Sequence, residues 1–62
     1  MPEVVIYALQ GRSPEQKEAL MKAITAAVAE HFRVDPGGVV VQIVESARDS
    51  KSKGGIPYSK LG

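Results

Sequence analysis

The stretch that decides the fold is residues 13–32, SPEQKEALMKAITAAVAEHF. It predicts an α-helix with Ser13 as N-cap, Pro14 in the first helical position and Gln16 closing a capping box. Apolar residues recur at steps of three and four and form one apolar stripe, made of Leu20, Ile24, Ala27, Val28 and Phe32. The helix is expected to run to about residue 32, before the turn sequence DPGG at 35–38.

Two apolar runs flank this helix, residues 3–9 (EVVIYAL) and residues 39–44 (VVVQIV). Both are rich in β-branched residues and alternate little, which is typical of strands covered on both faces. A strand, a long helix and a second strand form a βαβ unit with parallel strands and a right-handed crossover. After Glu45 the chain turns polar, and Gly54-Gly55 leads into a short extended segment. We therefore predict an α+β fold, a single βαβ unit with a short C-terminal arm, as one domain over residues 1–62.

The chain is too short to be stable without further support. It has 62 residues, no cysteine and one histidine, His31, so disulfides are excluded and a zinc site has too few ligands. The helix can cover only one face of the sheet, and a two-stranded sheet alone is marginal at best. Self-association is the remaining way to bury the other face, so we expect an oligomer.

Composition and charge argue against several classes of function. The formal net charge is +1 and 5% of the residues are aromatic, which favours neither nucleic-acid binding nor a membrane-surface role. No apolar run approaches the roughly 20 residues that cross a bilayer. The N-terminus lacks the basic segment and apolar core of a signal peptide, so a cytoplasmic location is expected.

The first two residues, Met1-Pro2, suggest a catalytic amine. Methionine ahead of a small residue is readily trimmed, which would expose the ring nitrogen of Pro2 as a secondary amine. Free α-amino groups have a pKa of roughly 7.7–8.0. An apolar site or a nearby cation lowers that pKa, which suits a general base. Two other interpretations stay open: Pro2 is an ordinary first residue of a strand, or Met1 is retained and the Pro2 nitrogen stays an amide.

Several short segments occur in an order and spacing that match a known family. They are Pro2 behind Met1, Gly11-Arg12-Ser13, Pro14–Lys17 at the helix start, the strand end at 41–45, and Gly54-Gly55-Ile56-Pro57. On these segments the chain resembles the tautomerase superfamily, specifically the small 4-oxalocrotonate tautomerase family. The resemblance implies a βαβ subunit in a hexamer, usually a trimer of dimers, with active sites where subunits meet. It also implies keto–enol isomerisation of a small 2-oxo or enol acid, with no metal or organic cofactor.

The resemblance makes Arg12 the second candidate site residue, beside Pro2. Its guanidinium would bind the substrate carboxylate through two parallel hydrogen bonds and stabilise charge on an enolate oxygen. The alternative is a solvated turn arginine ahead of a helix. His31 is expected to be a helix-end residue. The basic residues near the C-terminus are expected to form a solvated arm or the rim of an anion site: Arg48, Lys51, Lys53 and Lys60.

Two positions depart from the family pattern. Val40 stands where the best-known members carry a second arginine, and Lys51 stands near the position of an aromatic residue ahead of the double glycine. The natural substrate therefore stays open. Two further functions stay open with it. The same amine could hydrate, dehalogenate or decarboxylate a small unsaturated acid, or the chain could be a non-catalytic partner subunit of a mixed hexamer.

Overall fold

The computed structural model describes residues 1–61, which form one long helix and two pairs of strands. In chain order these elements are β1 (Glu3–Leu9), α1 (Pro14–Phe32), β2 (Val40–Ser46), β3 (Ser52–Lys53) and β4 (Ile56–Pro57). Short 3₁₀ turns occupy Pro36–Gly38, Arg48–Ser50 and Tyr58–Lys60. The predicted α+β fold, a βαβ unit with a C-terminal arm, is confirmed. Within residues 1–61, no helix combines the length and the apolar character needed to cross a membrane.

The start of α1 is as predicted. The Ser13 hydroxyl oxygen accepts a hydrogen bond from the Gln16 backbone N–H at 3.1 Å. In return, the Gln16 side-chain oxygen accepts one from the Ser13 backbone N–H at 2.9 Å. This capping box satisfies N–H groups that have no partner inside the helix. The helix ends at Phe32, where Arg33 adopts the left-handed conformation (φ 56°) that commonly terminates helices.

The strands β1 and β2 pair in parallel, from Glu3 opposite Val40 to Leu9 opposite Ser46. The second strand begins and ends later than predicted. Val39 is left out of it because its N–H bonds to the Pro36 carbonyl at 3.2 Å and closes a 3₁₀ turn. Because the strands are parallel, their C-terminal ends lie at the same end of the sheet.

The helix α1 covers one face of this sheet. Its half-buried residues recur at helical spacing and are Lys17, Met21, Ile24, Thr25, Val28 and Ala29. Of the predicted apolar stripe, Ile24 and Val28 are half-buried against the sheet. The other members are exposed: Leu20, Ala27 and Phe32. Two strands are only about 4.8 Å apart, so the sheet is too narrow to cover the whole apolar surface of the helix.

The outer face of the sheet is uncovered within residues 1–61. Val5, Tyr7 and Val40 lie there with exposed fractions of 41%, 74% and 38%, so the chain alone does not cover both faces of its strands. None of the described residues is fully buried, and the accessible surface is 4755 Å², against about 3,900 Å² for a compact monomer of this mass. The radius of gyration is 14.7 Å, against about 10.6 Å for a compact domain of this length. Residues 1–61 of one isolated chain therefore form no closed core.

The C-terminal arm is a small β-hairpin. The strands β3 and β4 pair antiparallel through Gly54 and Gly55, whose φ angles are 61° and 83°. Glycine adopts two successive positive φ angles without strain, as this kind of turn requires. The N–H of Tyr58 donates to the Lys51 carbonyl at 2.8 Å and ties the end of the hairpin to its beginning.

Candidate active site

Pro2 stands at the start of β1 and is half-buried. Its carbonyl accepts a hydrogen bond from the N–H of Val40 at 3.0 Å, the residue that lies opposite Glu3 on the second strand. Met1 is 90% exposed, which leaves the peptide bond between Met1 and Pro2 accessible to an aminopeptidase. While Met1 is attached, the Pro2 nitrogen is an amide and cannot accept a proton.

Arg12 lies beyond the opposite end of β1. Gly11 has a φ of 132°, a conformation that residues with a side chain rarely adopt. It turns the chain so that Arg12 folds back toward the strand end. The Arg12 guanidinium Nη1 lies 3.5 Å from the Leu9 carbonyl oxygen, the outer limit of a hydrogen bond. Within residues 1–61 the guanidinium has no carboxylate partner.

The two predicted site residues are far apart within one chain. Seven residue steps of β1 separate Pro2 from Leu9, and a strand rises about 3.3 Å per residue, which gives about 23 Å. Arg12 lies beyond Leu9. A single protomer therefore cannot place the Pro2 nitrogen and the Arg12 guanidinium on one small molecule.

Arg12 stands at a cleft between α1 and the C-terminal ends of the strands. The cleft has a volume of about 190 Å³, and we call it the Arg12 cleft. Its apolar lining consists of Ile6, Ala8, Leu9, Leu20 and Ile43. Leu20, which is exposed to solvent on the edge of the helix, thus forms part of the cleft wall. An apolar pocket with a few polar groups is the usual form of a small-molecule site.

The polar lining of the Arg12 cleft includes an ion pair that the sequence analysis missed. Lys17 Nζ lies 3.0 Å from Glu45 Oε1, and the two side chains are 29% and 25% exposed. The sequence does contain a signal for it. Lys17 precedes Met21 and Ile24 by helical steps, and Glu45 follows Ile43 by the two-residue step of a strand, so both charges point inward.

Three further basic residues, Arg48, Lys51 and Lys53, follow the end of β2 along the chain and are exposed. A second, more open cleft of about 460 Å³ lies at the other end of the sheet, between α1 and the start of β2. His31 is exposed at the helix end, 3.6 Å from Glu30. Among residues 1–61, no three His, Asp or Glu side chains are grouped as metal ligands.

Comparisons with known proteins agree on one family. A family model for tautomerase enzymes matches residues 2–55. A probable tautomerase of Bradyrhizobium diazoefficiens is 42% identical over 55 residues, which span 89% of this chain and 82% of the relative. The 2-hydroxymuconate tautomerase of Pseudomonas putida is 38% identical over 61 residues, spanning 98% of this chain and 97% of the relative. The structure of a heterohexameric 4-oxalocrotonate tautomerase from Chloroflexus aurantiacus superposes over all of both chains with a TM-score of 0.89 and 37% identity.

The βαβ fold and these relatives define a tautomerase, an enzyme of the isomerase class. Within that superfamily the chain belongs to the 4-oxalocrotonate tautomerase family, over nearly its whole length. The family prediction made from the sequence is confirmed. The match to the family model begins at Pro2.

Proposed function

We propose that this chain is a cofactor-independent tautomerase of small 2-oxo or enol acids, with Pro2 as general base and acid and Arg12 as carboxylate clamp. The observation that carries the proposal is the state of Arg12. Its guanidinium has no ion-pair partner within residues 1–61 and stands at an apolar cleft of about 190 Å³. A guanidinium binds a carboxylate through two parallel hydrogen bonds, which fixes both the position and the orientation of the substrate.

The proposed chemistry is a proton transfer within one substrate. With Met1 removed, the Pro2 amine takes the proton of the enol hydroxyl while the carbonyl forms, and returns it to a carbon atom of the conjugated chain. Substrate and product contain the same atoms at the same oxidation level, so no co-reactant is needed. Arg12 stabilises the negative charge of the enolate between the two transfers.

This site needs more than one chain, because β1 separates Pro2 from Leu9 by about 23 Å in one protomer and Arg12 lies beyond Leu9. When two copies join through their outer strands about a two-fold axis, the two adjoining strands run antiparallel. The Pro2 end of one copy then lies beside the Arg12 end of the other. The uncovered outer face, where Tyr7 is 74% exposed, supplies a further contact surface. We therefore propose a homo-oligomer, a hexamer built as a trimer of dimers.

Sedimentation equilibrium tests this assembly. The expected mass is about six times the chain mass of 6.6 kDa for a closed hexamer. Tyr7→Glu is expected to shift the population to smaller species, because it places an unpaired charge in an interface, which costs several kcal/mol. Lys22→Glu, on an exposed side of α1, is the control and should leave the mass unchanged. A stable wild-type monomer of 6.6 kDa would contradict the assembly and the shared site.

The activity is tested with two enol acids of different charge, 2-hydroxymuconate and phenylenolpyruvate. Ketonisation of each is followed by ultraviolet absorbance, with chain whose N-terminal residue is confirmed as Pro2 by mass spectrometry. Acceleration over the buffer rate is the expected result for at least one of them. No acceleration with either acid, from an assembled sample with a free Pro2 amine, would count against the proposal.

Val40 is expected to limit activity on substrates with two carboxylates. It is the strand neighbour of Pro2 and offers no charge to a second carboxylate. Val40→Arg should raise kcat/KM for 2-hydroxymuconate relative to phenylenolpyruvate by about tenfold to a hundredfold, since a hydrogen bond to a charged group contributes about 1.5–3 kcal/mol. Val40→Leu is the uncharged control. An unchanged ratio in Val40→Arg would show that the second carboxylate lies elsewhere.

Two observations favour a second candidate, a non-catalytic subunit of a mixed hexamer. The Chloroflexus aurantiacus relative is a heterohexamer, and the side chain of Val40, whose N–H bonds to the Pro2 carbonyl, carries no charge. This candidate predicts that Met1 is retained and that a sister chain copurifies. Mass spectrometry of the native protein distinguishes the two: a homogeneous complex beginning at Pro2 supports the enzyme, and a mixed complex with Met1 in place supports the partner subunit.

A further inference from the structure

Arg12 shares its cleft with a carboxylate that could compete with substrate. Glu45 is the acidic residue in the lining of the Arg12 cleft, and its side chain is 25% exposed. In the observed structure Glu45 is held by Lys17, with 3.0 Å between Nζ and Oε1. Lys17 reaches the cleft from the first turn of α1, while Glu45 reaches it from β2.

Glu45 and Arg12 are close enough for an alternative pairing. Glu45 lies directly opposite Ala8 in the sheet, one strand spacing of about 4.8 Å away. The Arg12 guanidinium lies 3.5 Å from the carbonyl oxygen of Leu9, the residue after Ala8. Both side chains line the Arg12 cleft. A carboxylate released from Lys17 would therefore have an unpaired guanidinium in the same cleft, and such pairs commonly form two parallel hydrogen bonds.

We propose that Lys17 is a positioning residue that keeps Arg12 available by holding Glu45 away from it. The inference rests on the proposed function of Arg12 as the carboxylate clamp. Without Lys17, Glu45 pairs with Arg12, and an incoming substrate carboxylate must displace an internal one. With Lys17 in place, the two charges of the pair cancel and the guanidinium remains the net cation at the cleft.

The test is a mutant cycle with KM and kcat read separately. Lys17→Met should raise KM for an enol acid about tenfold, within the range of coupling between contacting charges, and change kcat less than about twofold. Glu45→Gln alone should not raise KM. The double variant Lys17→Met/Glu45→Gln should return KM to within about twofold of wild type, because the competing carboxylate is gone. Lys22→Met, the same change on an exposed side of α1, is the control and should leave KM unchanged.

A purely structural ion pair gives a different pattern. If Lys17 and Glu45 serve only to join α1 to β2, Glu45→Gln should impair the protein as much as Lys17→Met, and the double variant should not recover. That result would overturn the inference. So would an unchanged KM in Lys17→Met.

A ligand-free measurement separates this inference from the proposed function. The ¹H–¹⁵N signal of the Arg12 side-chain Nε–Hε group should move in Lys17→Met and return to its wild-type position in the double variant. If wild type is inactive but the signal behaves in this way, the proposed function fails and the pairing stands. If wild type is active, depends on Arg12, and the signal does not move in Lys17→Met, the inference fails and the function stands.

Discussion

Replacing Pro2 with alanine is expected to lower kcat for an enol acid by a factor of about 10²–10⁴, the usual contribution of a positioned acid or base. The alanine variant still has an α-amino group, so some activity should persist. What it loses is the ring that holds the nitrogen rigidly at the start of β1. Assembly should be unaffected, because the backbone carbonyl of residue 2, which accepts the hydrogen bond from Val40, is present in both the wild type and the alanine variant.

Two controls test whether the loss of activity is caused by the change at the Pro2 nitrogen. A chain with one extra residue ahead of Pro2 keeps the ring but converts the nitrogen to an amide, and should lose at least as much activity as Pro2→Ala. Pro14→Ala makes the same substitution at the exposed first position of α1 and should retain activity. If Pro2→Ala and the extended chain both turn over substrate like wild type, Pro2 is not the base.

Replacing Arg12 with alanine is expected to lower kcat/KM for an enol acid by a factor of about 10²–10³. This is the cost of removing one charge-stabilising donor from a transition state. KM should rise as well, because the same guanidinium holds the carboxylate in the ground state. Arg12→Lys should recover only part of the loss, because an ammonium group provides a point charge but not the planar pair of donors.

The control for this variant removes the same charge elsewhere. Lys22 lies on an exposed side of α1. The Lys22→Ala variant should keep the wild-type kcat/KM, which would exclude a general effect of net charge. Equal losses in Arg12→Ala and Lys22→Ala would mean that the chain attracts anions without a clamp at Arg12.

Mixing the two impaired variants tests whether the site is shared between chains. When Pro2→Ala and Arg12→Ala chains are unfolded together and reassembled, each site draws its proline and its arginine from different protomers. About a quarter of the sites should then contain both wild-type residues in a randomly mixed oligomer. Recovery of activity on mixing is the expected result. No recovery, with mixed assembly demonstrated, would place Pro2 and Arg12 in separate sites.

Local signals explain why much of the fold was predictable. The capping box at Ser13 and Gln16 satisfies backbone groups within one turn, so its outcome does not depend on distant residues. The first strand, Glu3–Leu9, was also predicted with its observed limits. The start of β2 was missed because the turn after Pro36 takes the N–H of Val39, a competition between two hydrogen-bond patterns that composition does not reveal.

The candidate site was less predictable than the fold. Pro2 and Arg12 are predicted from residue type and from resemblance, but the distance of about 23 Å from Pro2 to the end of β1 at Leu9, beyond which Arg12 lies, follows from the length of β1. The pair of Lys17 and Glu45 was missed, although both residues lie at inward positions of their elements. Inward position can be inferred from spacing within each element. Which helix residue meets which strand residue depends on how α1 lies across the sheet.

By itself, the sequence determined the βαβ order, the start of α1, the parallel strands and the family, because each depends on short-range hydrogen bonding or on the order of residues along the chain. The tertiary structure alone decided which side of α1 is covered and that Lys17 pairs with Glu45 in the Arg12 cleft. It also decided that Pro2 and Arg12 lie beyond opposite ends of β1. These features depend on the packing of segments distant in sequence, where a narrow two-stranded sheet covers one side of one helix and leaves its own outer face exposed.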